Sequence, residues 1–541
     1  MNHPTLTIAF ASLLLSASAH GQELLYQTFG DDVGEYFGRT FAGGSDLNGD
    51  GIGDLLVGAP RDNNPTTSSG EVHIRSGVDG SVIDSLNFTT GNSNFGGEVR
   101  FLGDLDGDTV PDFAVMKHAG IGEVIVHSGA TNTVLYSVPV SPPPSSPWRV
   151  LSECPDLNGD GIPEFLVGEP ALDAATVYSG ADGSVVHDLI PVFAGQFGRV
   201  VDWIPDVNGD GVADLIVGSP RADSAGGTNA GAVTVFSGAT GDFLRIDQGL
   251  YSAAQFGHSI AALADVDGDG FGDYVVGSPW RTIDGSQVGT VMLVSGGSGT
   301  TLWTRQSTFL NSGYGIALAI LDDFDGDGNP DCAVGMPFGG FERVQILDVL
   351  SGDARATIRR DQLYFGMALE SLGDVTGDGR TELGIASSIE DDGPIIQTGS
   401  VSAYKACDAT GYVVCDSSMN STGLVGYVEA CAFGTTLTLH AGQLPIDEFG
   451  FFLMGEAAAS IPLFDGILCL GLPFVRLNDV PGGLLDSGPT GEVFMELDLL
   501  ALPQNTVVLP GETWRFQYWT RDTLPGPVST ADFTSAVAVT F

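Results

Sequence analysis

The feature that most limits how this chain can fold is a nine-residue acidic segment that recurs seven times. It starts at Asp46, Asp104, Asp156, Asp206, Asp265, Asp323 and Asp374, at intervals of 50 to 59 residues. Nine positions before each start stands an aromatic residue followed by Gly, at Phe37, Phe95, Phe197, Phe256, Tyr314 and Phe365; the third copy has Pro147-Trp148 instead. Twelve positions after the start comes a Gly-x-Pro corner, at Gly58, Gly168, Gly218, Gly277 and Gly335. Self-similarity at such a period implies one supersecondary unit per repeat, each burying its apolar face against its neighbours.

Each unit has room for four short strands. One follows the Phe-Gly, a second follows the acidic segment (Leu55-Leu56-Val57, Leu215-Ile216-Val217), and a third is of the type Gly231-Ala232-Val233-Thr234-Val235-Phe236. A fourth follows a Ser-Gly turn, as at Thr301-Leu302-Trp303. These runs are rich in β-formers, are separated by turn residues and lack helical spacing. The fold class is therefore all-β: a seven-bladed β-propeller, four strands to a blade, across 22–404. The seventh unit stops after Gly399–Tyr404 without a fourth strand, whereas a spare strand-like segment, 23–28, precedes the first. We expect 23–28 to complete the seventh blade and leave no open edge.

Aromatic-Gly, acidic loop and Gly-Ala-Pro (Phe37-Gly38, Asp46–Asp54, Gly58-Ala59-Pro60) together resemble the FG-GAP repeat of the integrin α-subunit propeller and its relatives in secreted bacterial proteins. The resemblance covers roughly 37–404. It implies a propeller that binds a macromolecule outside the cell, in the manner of adhesion, with its ligand face opposite the acidic loops.

Oxygen-bearing side chains occupy positions 1, 3, 5 and 9 of every acidic segment. These are Asp46, Asn48, Asp50 and Asp54; Asp104, Asp106, Asp108 and Asp112; Asp156, Asn158, Asp160 and Glu164; and Asp206, Asn208, Asp210 and Asp214. The last three sets are Asp265, Asp267, Asp269 and Asp273; Asp323, Asp325, Asp327 and Asp331; and Asp374, Thr376, Asp378 and Glu382. Ca2+ takes about six to eight oxygens, and odd positions of a tight loop can converge on one ion. An EF-hand shares the opening pattern but needs a bidentate Glu at position 12. Here that position holds Val57, Val115, Val167, Val217, Val276, Val334 and Ile385, which are strand residues. Up to seven Ca2+ are thus expected. Loop two is weakened by Thr109 where the turn wants Gly, and loop seven by Thr376 at position 3. Loops five and six are expected to bind best.

Asp plus Glu number 68 against 20 Lys plus Arg, for a formal charge of −48. So acidic a chain lacks the basic patches that nucleic acid or anionic membranes require. Residues 1–21 read as a secretory signal, with an apolar run from Leu6 to Leu15 and small residues at Ala17 and Ala19. No other run is long enough to span a bilayer, so the mature chain is expected to be secreted or held at the cell envelope.

After Tyr404 the repeat ends, and 405–541 reads as a smaller β-sandwich-like domain, loosely similar to the carboxyl-terminal β-domains of secreted bacterial repeat proteins. Cys407, Cys415, Cys431 and Cys469 cluster there, where export permits one or two disulfides. Cys154 and Cys332 read as small buried residues. The group Trp514, Phe516, Tyr518 and Trp519 reads as packed core in preference to a carbohydrate platform.

No catalytic motif is present: no G-x-S-x-G, H-E-x-x-H, P-loop or C-x-x-C. Lys117-His118, in place of the second corner, reads as divergence of a repeat. The reading is therefore a non-catalytic extracellular adhesion or binding protein with a protein or carbohydrate ligand. The longer second-to-third-strand loops, 61–69, 221–230, 280–288 and 388–398, are the candidate ligand surface. A polysaccharide-active enzyme or accessory module, or a purely structural envelope protein, is the alternative.

Overall fold

In the computed structural model the described residues are 22–31, 34–62, 69–88, 93–118, 122–140, 150–283, 285–307, 309–339, 342–360, 363–388 and 399–406. Beyond these it describes the strands between Ala409 and Thr540 with some of their connections. The expected signal segment 1–21, Pro147-Trp148, Cys407 and the loop tips 63–68 and 389–398 lie outside the described residues. So do the side chains of Cys415, Cys431 and Cys469.

Among the described residues, seven four-stranded antiparallel sheets occupy the repeat region. In the first, Phe41–Ser45, Asp54–Ala59, Glu71–Arg75 and Val82–Asn87 pair in sequence order. The next five repeat that order; the fifth carries an extra two-residue hairpin, Thr282–Ile283 with Ser286–Gln287. The seventh holds Phe365–Gly373, Glu382–Ser387 and Ser400–Ala406, and its outermost strand is Gln22–Phe29. That strand runs antiparallel to Ser400–Ala406, from Gln22 opposite Ala406 to Phe29 opposite Ser400. The last strand of the ring thus ends two residues beyond Tyr404.

Innermost strands of successive sheets lie side by side all the way round, with Phe365–Gly373 of the seventh against Phe41–Ser45 of the first. The sheets therefore close into a β-propeller. Strands from all seven line a central cavity of about 270 Å³.

Burial is deepest at the second strand of each sheet and least at the outermost. The second strand of the unit is enclosed along its whole length in the first, fourth, fifth, sixth and seventh sheets. The outermost strand, such as Val82–Asn87 or Thr301–Gln306, is largely exposed. The apolar side chains between sheets form continuous cores; Phe37, Val57, Ala386 and Val401 fill the seam where the seventh sheet meets the first. Each fully buried Val, Leu, Ile or Phe is worth roughly 1.5–3 kcal/mol relative to exposure.

The corner glycine explains the repeat's wording. A Cβ on Gly218 would stand 2.3 Å from the carbonyl oxygen of Gly257, the glycine of the next unit's Phe-Gly. Gly58, Gly168, Gly277 and Gly335 meet Gly96, Gly198, Gly315 and Gly366 in the same way, at 2.1–2.2 Å. The two motifs are halves of one inter-sheet contact, and at these five junctions a Cβ on the corner side would meet backbone.

Carboxyl-terminal to the ring, Ala409–Cys415 joins two sets of strands into one bent sheet. Val428, Leu437 and Leu439 of one set pack with Phe452, Met454, Trp514, Phe516 and Tyr518 of the other, so the sheet folds over a single core. Trp514, Phe516 and Tyr518 are buried in it, and Trp519 lies against Phe451 with ring centroids 4.9 Å apart. The aromatic group is core.

Candidate metal centre

Each acidic segment links the first and second strands of its sheet, so all seven loops stand at the same end of the ring. Position 1 shapes the loop. Asp46 accepts the N–H groups of Gly49 at 2.7 Å and Gly51 at 2.8 Å, and Asp265 takes those of Gly268 and Gly270 at 2.7 and 2.8 Å. The residue at position 6 needs positive φ; six glycines there lie between 86° and 93°. Thr109 is forced into the same region at 77°, where a β-branched side chain is strained.

Position 9 begins the second strand, and the fold buries it completely. Asp54, Asp112, Glu164, Asp214, Asp273, Asp331 and Glu382 are each at most 1% exposed. Asp273 is held by the N–H of Val266 at 2.9 Å and that of Gly296 at 2.9 Å. Gly296 belongs to the Ser-Gly turn between the third and fourth strands, and Gly77, Gly129 and Gly238 serve Asp54, Asp112 and Asp214 alike. In the fifth unit Ser295 Oγ also donates to Asp269 at 3.1 Å. The sequence shows the recurring Ser-Gly only as a turn. Its separation from position 9 varies, 23 residues for Gly77 and 17 for Gly129, so spacing alone did not show that the turn also buttresses the loop.

Burial pushes the position 9 carboxyls above their ordinary range, neighbouring loop carboxylates add to the rise, and the N–H bonds oppose it. Asp331 and Glu382 reach about 7. No Lys or Arg among the described residues forms an ion pair with any of the seven. A buried carboxylate beside two or three others, with no basic partner, fits a hard divalent cation as its missing counter-charge.

Ligand atoms converge. One oxygen each from Asp104, Asp106 and Asp108 lie within 4.8 Å of one another, and so do those of Asp265, Asp267 and Asp269. In the third and sixth loops the position 9 residue joins: Asp156, Asp160 and Glu164, and Asp323, Asp325 and Asp331. Where position 3 is Asn, its Nδ2 donates to position 9, as from Asn208 to Asp214 at 3.1 Å. Thr376 does the same through Oγ1 to Glu382 at 3.2 Å.

The sixth loop holds a side chain that spacing alone did not reveal. Arg355, on the outermost strand of that sheet, stands 3.0 Å from Asp327 and 3.7 Å from Asp325, and bonds Asp348 as well. A guanidinium there competes with a cation for the same oxygens.

At the opposite end of the ring lie the second-to-third-strand loops and the connections between sheets, as antiparallel order requires. Apolar side chains stand exposed on these connections: Ile190 (77%) and Val192, Leu250 (70%) and Tyr251, Leu310 and Leu363. Trp280 stacks on Phe338 at 5.9 Å, Phe338 meets Tyr364 edge-on at 6.0 Å, and Arg281 covers Tyr251 at 3.9 Å. At the second corner, Lys117 pairs with Glu123 at 2.8 Å and the buried His118 packs over Gly97. Cys154 and Cys332 are buried and unpaired.

A closed ring of four-stranded sheets, each opening on one carboxylate loop, defines the class: an all-β propeller of acidic-loop repeats. The family model described as FG-GAP repeat matches residues 37–74 and 197–236, in the first and fourth units, and the chain is similar to integrin α subunits. It is 32% identical to integrin alpha-3 of Cricetulus griseus over 175 residues, 29% of this chain and 17% of that protein. With integrin alpha-4 of Xenopus laevis it shares 34% over 177 residues, 28% of this chain and 16% of that one. Integrin alpha-PS2 of Drosophila melanogaster matches at 30% over 177 residues, 28% and 13%. The chain thus spans under a fifth of these relatives' length. A solved structure described as "Crystal structure of BBS1N in complex with ARL6DN, soaked with mercury" aligns with TM-score 0.44 and 11% identity, over 70% of this chain and 96% of that one.

Proposed function

We propose that this protein is an exported, non-catalytic binding protein whose propeller is held by Ca2+ and takes an extracellular protein ligand on the face opposite the acidic loops. The observation that carries the reading is the set of exposed apolar side chains on successive connections of that face. Ile190, Leu250, Tyr251, Leu310 and Leu363 lie on four consecutive connections, and large apolar side chains left exposed repeatedly on one face suit an interaction site. The likeness to integrin α subunits supports an adhesive role outside the cell. Positions 1, 3, 5 and 9 of each loop would hold the ion, which neutralises the buried carboxylates and fixes the loop. Loop five then binds best, loop six is weakened by Arg355, and loops two and seven are weakest.

The test is a pair of arrays, extracellular proteins and glycans, probed with the parent and with a Leu250→Ser, Tyr251→Ser, Leu310→Ser variant in Ca2+. Signal on protein spots, lost in the variant with its melting unchanged, supports the reading. Signal unaffected by the variant removes this face from consideration.

One observation favours a second reading, a polysaccharide-active enzyme. Glu98, Glu153, Asp202 and Glu370 all face the central channel with Arg100, whose guanidinium bonds both oxygens of Glu370 at 2.8 Å. Burial lifts Glu98 to about 7 and Asp202 to about 6, while Arg100 opposes the rise. Proton-holding carboxyls are what a general acid needs. Glycan cleavage abolished by Glu98→Gln or Asp202→Asn would establish it.

A further inference from the structure

Among the described residues, a cluster of metal-ligating side chains lies outside the acidic loops. A ring nitrogen of His73 and one carboxylate oxygen each of Asp31 and Glu35 lie within 4.8 Å of one another. We propose that Asp31, Glu35 and His73 bind a first-row divalent cation of the Zn2+ class at the seam where the amino-terminal strand closes the ring.

The three residues come from separate parts of that seam. Asp31 stands two residues past the closing strand Gln22–Phe29, Glu35 precedes the first Phe-Gly, and His73 lies on the third strand of the first sheet. His73 is 4% exposed, its ring meets Phe37 edge-on at 5.1 Å, and its Nε2 is enclosed without a hydrogen-bond partner. A buried imidazole nitrogen with nothing to bond is costly unless something fills the gap.

Glu35 is fully buried, and its carboxylate lies over Gly30, where a Cβ would stand 1.4 Å from Oε1. Asp31 is exposed and gives an ion a way in. One imidazole and two carboxylates suit Zn2+, Co2+ or Mn2+, whereas Ca2+ prefers oxygen alone. The site therefore differs in chemistry from the seven loops. Arg75 is the rival occupant: its guanidinium feels both carboxylates and bonds the carbonyl oxygen of Phe29 at 3.3 Å.

The experiment uses the full chain in millimolar Ca2+, so that the loops are filled. Zn2+ is titrated by calorimetry, and Co2+ by visible absorption. One saturable equivalent is expected, with a rise in melting temperature. Asp31→Asn, at an exposed position, should weaken uptake by about tenfold or more, and His73→Gln should remove the nitrogen-dependent Co2+ bands. If His73→Gln does not fold, Asp31→Asn alone decides. No saturable Zn2+ uptake above Ca2+, or uptake that Asp31→Asn leaves unchanged, overturns the site and leaves Arg75 as the counter-ion.

Discussion

Single residues set how the loops differ. Thr109 stands at φ 77° where its six counterparts are glycine. Left-handed backbone costs an L-residue about 1–2 kcal/mol, partly offset by the flexibility that glycine adds to the unfolded chain. Thr109→Gly should therefore stabilise the protein by roughly 1 kcal/mol in excess chelator, read as a shift in the urea midpoint at constant slope. A destabilised variant would show that the loop is not strained. Arg355 sets a second difference. Its charge sits where the sixth loop's Asp325 and Asp327 would meet an ion, and like charges exclude one another. Arg355→Gln should tighten the sixth Ca2+ site, seen by calorimetry as a higher-affinity step among the sites; an unchanged isotherm would remove Arg355 from the account.

Between residues and the ring lies the element, where the corner glycine of one unit meets the Phe-Gly of the next. Gly218→Ala would push a methyl group to 2.3 Å from the Gly257 carbonyl oxygen and 2.5 Å from Val200. Overpacking of this order costs about 1–3 kcal/mol. Thermal melting should fall accordingly, while alanine at the open Gly285 (φ 83°) carries only the backbone penalty. Equal losses would mean that the inter-sheet contact is soft. The same contact explains where the repeat departs from its pattern. The second unit lacks its corner glycine, with Met116 at that position, and the third unit lacks its Phe-Gly. These are two halves of one junction and both are lost there, whereas at the seventh-to-first junction Ala386 holds the corner position and Phe37-Gly38 is kept. The repeat spacing made the sheets, the strand order and the carboxylate positions legible, because each depends on local pattern. What stayed hidden was contact between side chains far apart in the sequence. Arg355 reaches its loop from a strand 28 residues away, the channel carboxylates come from different sheets, and His73 meets Asp31 only because the ring closes.

On the scale of the whole ring, charge decides stability twice. In the channel, Glu98 retains its proton to about pH 7 because burial outweighs the pull of Arg100 and Arg39, with Glu370 adding to the rise. A carboxyl raised in the folded state favours folding at low pH, and that contribution is lost as pH climbs from the ordinary range through about 7. Glu98→Gln should accordingly raise the melting temperature relative to the parent at pH 8 and change it little near pH 4; a difference independent of pH would remove Glu98 as the cause. At the rim the carboxylate loops act together. Each holds three or four carboxylates with no basic partner at position 9, so the empty ring carries their mutual repulsion. An ion at ten times its dissociation constant contributes about 1.4 kcal/mol, and seven such sites about 10 kcal/mol, comparable with the net stability of a domain. Exhaustive chelation should lower the melting temperature by on the order of 10 °C, and restored Ca2+ should return it, with Mg2+ less effective because its octahedral demand suits these loops poorly. Melting that ignores chelator would mean that N–H bonds to positions 1 and 9 hold the loops unaided, and that the acidic repeat serves something other than a cation.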